Sequence, residues 1–112
     1  MRRLTFFFAA ALTVGACAGP PPNVSALADG SVDQVLVEGR SVYESKCVQC
    51  HGSEGQGGRG KQLNEGNVLL AYPTQASQIE FVSNGKGMMP AFGSILTDAE
   101  LEAVVRYTRE VL

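Results

Sequence analysis

Cys47-Val48-Gln49-Cys50-His51 decides how this 112-residue chain is read, because no other stretch collects so many reactive groups in so few residues. Thiols three positions apart lie about one helical turn from each other. Both can therefore reach the two vinyl groups of one haem and form thioethers, with the following imidazole held beneath the iron. This is the c-type haem attachment pattern, and neutral imidazole is a normal proximal ligand of haem iron. A structural zinc site is the first competing reading, but zinc takes four protein ligands. The chain has one further cysteine, Cys17, far to the N-terminal side, and no second histidine. A thioredoxin-like redox pair is the second, and it calls for a strand before the motif and a βαβ pattern around it. The flanks here read instead as helix and then glycine-rich loop.

On the N-terminal side, Leu36, Gly39, Tyr43 and Cys47 recur at spacings of three and four, one face of a helix that begins near Ser31 or Asp33. A glycine inside a helix costs about 1 kcal/mol, which is explained if another helix crosses closely at Gly39. On the C-terminal side, Gly52-Ser53-Glu54-Gly55-Gln56-Gly57-Gly58-Arg59-Gly60 is too rich in glycine for helix or regular strand and reads as loop. Leu63, Val68, Leu69, Leu70 and Tyr72 then supply apolar side chains, either to close over a haem edge or as ordinary core. Ala76, Ile79, Phe81 and Val82 predict a short amphipathic helix over 74–83, stopped by Asn84-Gly85.

Next comes Met88-Met89-Pro90. The proline disfavours helical backbone at Met89. With one histidine in the chain, a sixth protein ligand to haem iron is most naturally a thioether sulfur, and of the pair Met89 is preferred. Thr97-Asp98-Ala99-Glu100 is a capping box that opens a terminal helix with Leu101, Val104, Val105, Thr108 and Leu112 on one face, widened by Tyr107 and Val111.

The first residues have a different character. Met1-Arg2-Arg3 is a short basic start, and Leu4 to Val14 is almost wholly apolar; together they read as a secretory signal over residues 1–16. The apolar run falls short of the about 20 residues that a spanning helix needs. Val14-Gly15-Ala16-Cys17 resembles a bacterial lipobox, which makes Cys17 the lipid-anchor cysteine and accounts for an otherwise unpaired thiol in an exported protein. Residues 17–33, with Pro20-Pro21-Pro22 and then small and polar residues, read as a Pro-rich flexible tether. Loss of Arg2 and Arg3 leaves seven basic against eleven acidic residues, so the exported form is acidic and no nucleic-acid partner is expected.

Taken in order, Gly39 and Tyr43 on the first helix, CVQCHG, the glycine-rich loop, NGKGMMPAFG and the capped last helix carrying Tyr107 resemble a class I, monohaem cytochrome c. The resemblance covers residues 34–112. It implies a small all-α fold of three to four helices around one covalently attached haem c. It also implies that the first and last helices cross near Gly39 beside Tyr43 and Tyr107, and that the methionine directly before the proline, Met89, is the axial ligand opposite His51. Family members often carry Gly-Pro-x-Leu after the glycine loop, the proline carbonyl receiving the histidine Nδ1 proton. The matching place here is Gly60-Lys61-Gln62-Leu63, with the Lys61 carbonyl as the corresponding acceptor.

The expected function is electron transfer between redox partner proteins, with Cys47 and Cys50 as thioether residues, His51 and Met89 as axial ligands, and no small-molecule substrate or enzymatic activity. The expected place is the periplasmic side of a bacterial membrane, through the lipid anchor, or the soluble periplasm if cleavage is ordinary, after Ala16 or Ala18. The alternatives are a haem relay subunit of a larger oxidase or dehydrogenase complex, and a haem sensor or peroxidase-like protein with an open sixth position.

Overall fold

The computed structural model describes residues 19–112; the expected signal segment and Cys17 lie outside the described residues. Five α-helical segments follow one another: α1 Gln34–Lys46, α2 Val48–His51, α3 Asn67–Ala71, α4 Gln75–Asn84 and α5 Asp98–Glu110, with a 3-10 turn at Phe92–Ser94. Among the described residues there is no strand, only an isolated antiparallel bridge between Lys86 and Met89.

Helix ends fall where side chains satisfy orphan backbone N–H groups. The Asp33 carboxylate accepts from the backbone N–H of Val35 at 2.9 Å and of Leu36 at 3.4 Å, and so starts α1. Thr74 accepts from Ser77 N at 3.1 Å and starts α4. Thr97 and Glu100 close the reciprocal box that starts α5, with Thr97 N donating to the Glu100 carboxylate at 2.8 Å. The short α3 has no side-chain cap, its N-cap being Gly66 in the left-handed region, and no capping residue or period in the sequence marks it.

The apolar faces of α1 and α5 pack on each other as the main interhelical contact. Leu36, Val42 and Tyr43 are buried from one side, and Leu101, Ala103, Val104, Val105 and Tyr107 from the other. Each Val, Leu or Phe buried in this way contributes about 1.5–3 kcal/mol. The helices meet at Gly39, where a Cβ would overlap the Ala103 carbonyl and stand 2.8 Å from Tyr107 Cβ. Absence of a side chain is what lets the two backbones approach. The Tyr43 and Tyr107 rings lie beside this crossing with centroids 5.5 Å apart, tilted by 45°, a favourable aromatic geometry.

Within the proline-rich stretch, Pro21, Pro22 and Val24 pack against the helices. Pro21 is buried, and the Pro22 carbonyl accepts from the Tyr107 hydroxyl at 2.7 Å. Arg40 donates to the Pro21 carbonyl through Nη2 at 2.9 Å and to the Pro22 carbonyl through Nε at 3.1 Å. Val24 packs against the apolar cluster. Residues 21–24 thus form a strap on the α1/α5 crossing. Proline has a carbonyl and no N–H of its own, and here the carbonyls of Pro21 and Pro22 serve as acceptors for the Arg40 guanidinium and the buried Tyr107 hydroxyl.

Two consequences can be measured. Gly39→Ala gains about 1 kcal/mol of helix propensity but forces an overpacking that costs typically about 1–3 kcal/mol and more against rigid backbone, so urea unfolding should show a net loss of stability. Tyr107→Phe should cost about 1 kcal/mol and admit proteolysis near residue 24; an unchanged unfolding midpoint and cleavage pattern would remove the strap from the fold.

Candidate functional site

At Cys47 the chain leaves α1 and turns at once into α2, a single helical turn that carries Cys50 and His51. Three restraints hold that turn. The buried Tyr43 donates its hydroxyl proton to the Gly52 carbonyl at 2.7 Å, tying the residue after His51 to the helix crossing. The glycine loop folds back over the turn, with Gly60 N donating to the Cys50 carbonyl and Gly57 N to the His51 carbonyl, both at 2.8 Å. His51 Nδ1 lies 2.7 Å from the Lys61 carbonyl. A carbonyl only accepts, so Nδ1 carries the proton and Nε2 keeps its lone pair, the tautomer a metal-binding imidazole needs.

Glycine is required at Gly60 by contact. A Cβ there would stand 2.7 Å from His51 Cε1, so the loop could not lie against the ring with any other residue.

The two cysteines are free thiols, half-buried. Burial, with a smaller contribution from Cys50, pushes the Cys47 thiol up to about 12. It is therefore protonated at neutral pH, the opposite of the depressed thiol that marks a disulfide-exchange catalyst. Among the described residues no cluster of three or more His, Cys, Asp or Glu could hold a metal ion by itself. Burial raises the phenols too: Tyr107 is pushed up to about 12 and Tyr43 higher, so both remain hydroxyl donors throughout the physiological range.

Cys47, Cys50 and His51 open onto one cavity of about 640 Å³, within the size range of small-molecule and cofactor sites. Met89 lines it as well, held by paired backbone hydrogen bonds to Lys86 at 3.1 Å in each direction. Met88 also borders the cavity but is 78% exposed, whereas Met89 is half-buried and packs against the apolar cluster. Leu63, Val68 and Tyr72 contribute apolar wall, while Leu69 and Leu70 of the same stretch do not and are exposed. Two polar wall residues are not marked as such by the sequence. Gln78 of α4 is 4% exposed, yet a polar residue at helical spacing reads as solvent-facing. Thr108 was placed on the apolar face of α5, but the hydrogen bond its hydroxyl makes could not be anticipated.

The cavity suits covalent haem. Two unpaired thiols, an imidazole with a free Nε2 and a thioether border one largely apolar space, and no other metal-ligand set among the described residues competes with it. A family model described as cytochrome c oxidase, cbb3-type, subunit III, matches residues 34–107. The chain belongs to the cytochrome c family. Its cofactor is haem c, and haem-based electron transfer is the chemistry of this family.

Cytochrome c6 of Rippkaea orientalis is 36% identical over 74 residues, covering 62% of this chain and 64% of that protein. The cbb3-type cytochrome c oxidase subunit FixP of Sinorhizobium medicae is 29% identical over 105 residues, covering 76% of this chain and 36% of FixP. The chain thus spans just under two thirds of the first relative and about a third of the second. Among solved structures, cytochrome c6C from Synechococcus sp. PCC 7002 superposes with a TM-score of 0.56 at 30% identity, covering 65% of this chain and 92% of that one.

Proposed function

We propose that this cytochrome is a one-electron carrier rather than an enzyme, with haem c bonded through Cys47 and Cys50 and its iron held by His51 and Met89. The observation that carries this reading is the convergence of those four side chains on one cavity, from α1, α2 and the Lys86–Met89 turn. When bound, the haem supplies an iron that alternates between Fe(III) and Fe(II). His51 and Met89 would both hold the iron, which would leave no open position for a substrate. The Lys61 carbonyl fixes the His51 ring, and the Met89 thioether favours the reduced state and raises the potential. Apolar walls exclude water, which limits the solvent reorganisation that accompanies each change of charge.

A second reading, a relay domain within a larger oxidase complex, is supported by the similarity to FixP over only part of that protein's length. A particle much larger than the 11.8 kDa chain after detergent extraction would favour it.

The protein is proposed to be exported and held at a membrane by lipid on Cys17; among the described residues no helix is long and apolar enough to cross a membrane.

Met89→Ala should abolish the sulfur-to-iron charge-transfer band of the oxidised protein, lower the midpoint potential and let carbon monoxide bind the reduced form. Met88→Ala should leave all three unchanged; the reverse pattern would reassign the ligand. Cys17→Ser should move the protein from the membrane to the soluble fraction, and continued membrane association would exclude the lipid anchor.

A further inference from the structure

One part of the cavity wall is polar and built across three elements. Gln78 on α4 and Thr108 on α5 both line the cavity and are 4% and 7% exposed. Gln78 Nε2 donates to Thr108 Oγ1 at 2.8 Å, and Thr108 Oγ1 donates onward to the Val105 carbonyl at 2.9 Å. On the other side, Arg109 Nη1 donates to Gln78 Oε1 at 3.1 Å and to the Tyr72 carbonyl at 2.9 Å. A guanidinium only donates, so it fixes the orientation of the Gln78 amide. The chain of hydrogen bonds runs one way, from Arg109 through Gln78 and Thr108 to α5, and such chains polarise one another.

Arg109 is half-buried and, among the described residues, makes no ion pair with any carboxylate within 4 Å. Both other arginines on α1 and α5 do: Arg40 pairs with Glu44, and Arg106 with Asp33 and Glu110. A cation in the last turn of α5 also interacts favourably with the helix dipole, which would be reason enough for a surface residue. The donors of Arg109 are aimed elsewhere, across to the chain before α4 and to the amide in the cavity wall. Partial desolvation of a charge without a carboxylate partner is costly, and its hydrogen bonds to Tyr72 and Gln78 offset part of that cost.

We propose that Arg109 is a positioning residue for the redox chemistry: held behind the cavity wall by Gln78 and the Tyr72 carbonyl, its unneutralised charge raises the reduction potential of the haem. The proposal rests on the reading that haem occupies this cavity. The sign follows from charge alone. Reduction of Fe(III) to Fe(II) by one electron from a partner protein adds one negative charge to the site, and a fixed cation nearby stabilises that state relative to the oxidised one. Screening by salt is weaker for a half-buried charge than for an exposed one, and the amide and hydroxyl dipoles of Gln78 and Thr108 lie between it and the cavity.

The test is a redox titration of the holoprotein followed by its visible absorption, with intact mass confirming haem attachment and thermal melting recorded in parallel. Arg109→Gln keeps an amide donor and removes the charge, so its midpoint potential should fall. Arg109→Lys keeps the charge and should stay close to wild type. Gln78→Leu releases one of the two restraints on Arg109 and should shift the potential in the same direction by less. A wild-type potential in Arg109→Gln overturns the proposal even if its melting temperature drops, and so does an equal fall in Arg109→Gln and Arg109→Lys, which would assign the effect to hydrogen bonding. Should Arg109→Gln fail to accumulate with haem, a wild-type potential in Gln78→Leu overturns it equally. The premise is read separately from Cys47→Ser with Cys50→Ser. Retention of the covalent haem mass there overturns the site reading and this proposal together, whereas its loss alongside an unshifted Arg109→Gln overturns this proposal alone.

Discussion

Close approach of α1 and α5 at Gly39 is the contact on which the rest of the structure depends. With the Ala103 carbonyl and Tyr107 Cβ where a side chain would stand, the separation of the two backbones is set by glycine, and the pairing of Tyr43 with Tyr107 follows from it. From there the restraint passes in two directions. Tyr43 reaches the Gly52 carbonyl and so governs where the turn bearing His51 begins its loop. Tyr107 reaches the Pro22 carbonyl and so holds the strap. Interhelical distance, histidine placement and the position of the strap are thus one coupled geometry. Close packing makes such coupling stiff, since interiors at crystal-like density do not yield continuously.

Around the histidine the protein relies on backbone more than on side chains. The Lys61 carbonyl sets the His51 tautomer, and its own position is set by the hydrogen bonds that Gly57 and Gly60 make to the turn. A proline at this place would hold the acceptor through its ring. Here the loop does so through hydrogen bonds and through the bare Cα of Gly60 against the imidazole, so rigidity that a single residue type can supply is distributed over several contacts. The methionine side is built on the same plan, by paired backbone hydrogen bonds between Lys86 and Met89 rather than by a side-chain clamp.

Much of this was legible in the residues. The capping box at Thr97–Glu100, the helix over 74–83 and the crossing implied by Gly39 are local or short-range signals, and local signals survive folding when tertiary packing agrees with them. The turn Asn67–Ala71 was missed because its cap is a left-handed glycine, and because a run of Val, Leu, Leu and Ala without polar interruption carries no period. Leu69 and Leu70 were grouped with Leu63 and Val68 for the same reason, since only the helical turn decides which of them face the cavity. Pro20-Pro21-Pro22 read as spacer because proline-rich composition sets stiffness and reach and says nothing about which donors wait for its carbonyls.

What the sequence by itself determined is the chemistry: the two thiols, the single imidazole and the pair of thioethers are properties of residue type and spacing, and they name one cofactor before any fold is known. Only the tertiary structure decided how those groups are held. The hydrogen bond from Tyr107 to the strap spans 85 residues and that from Gln78 to Thr108 spans 30. Neither pair shares a helix face or a turn, so no periodicity can encode it. Whether a polar side chain such as Gln78 or Arg109 faces water or the cavity wall depends on which donors and acceptors packing brings within about 3 Å, and that is settled only when the helices have crossed.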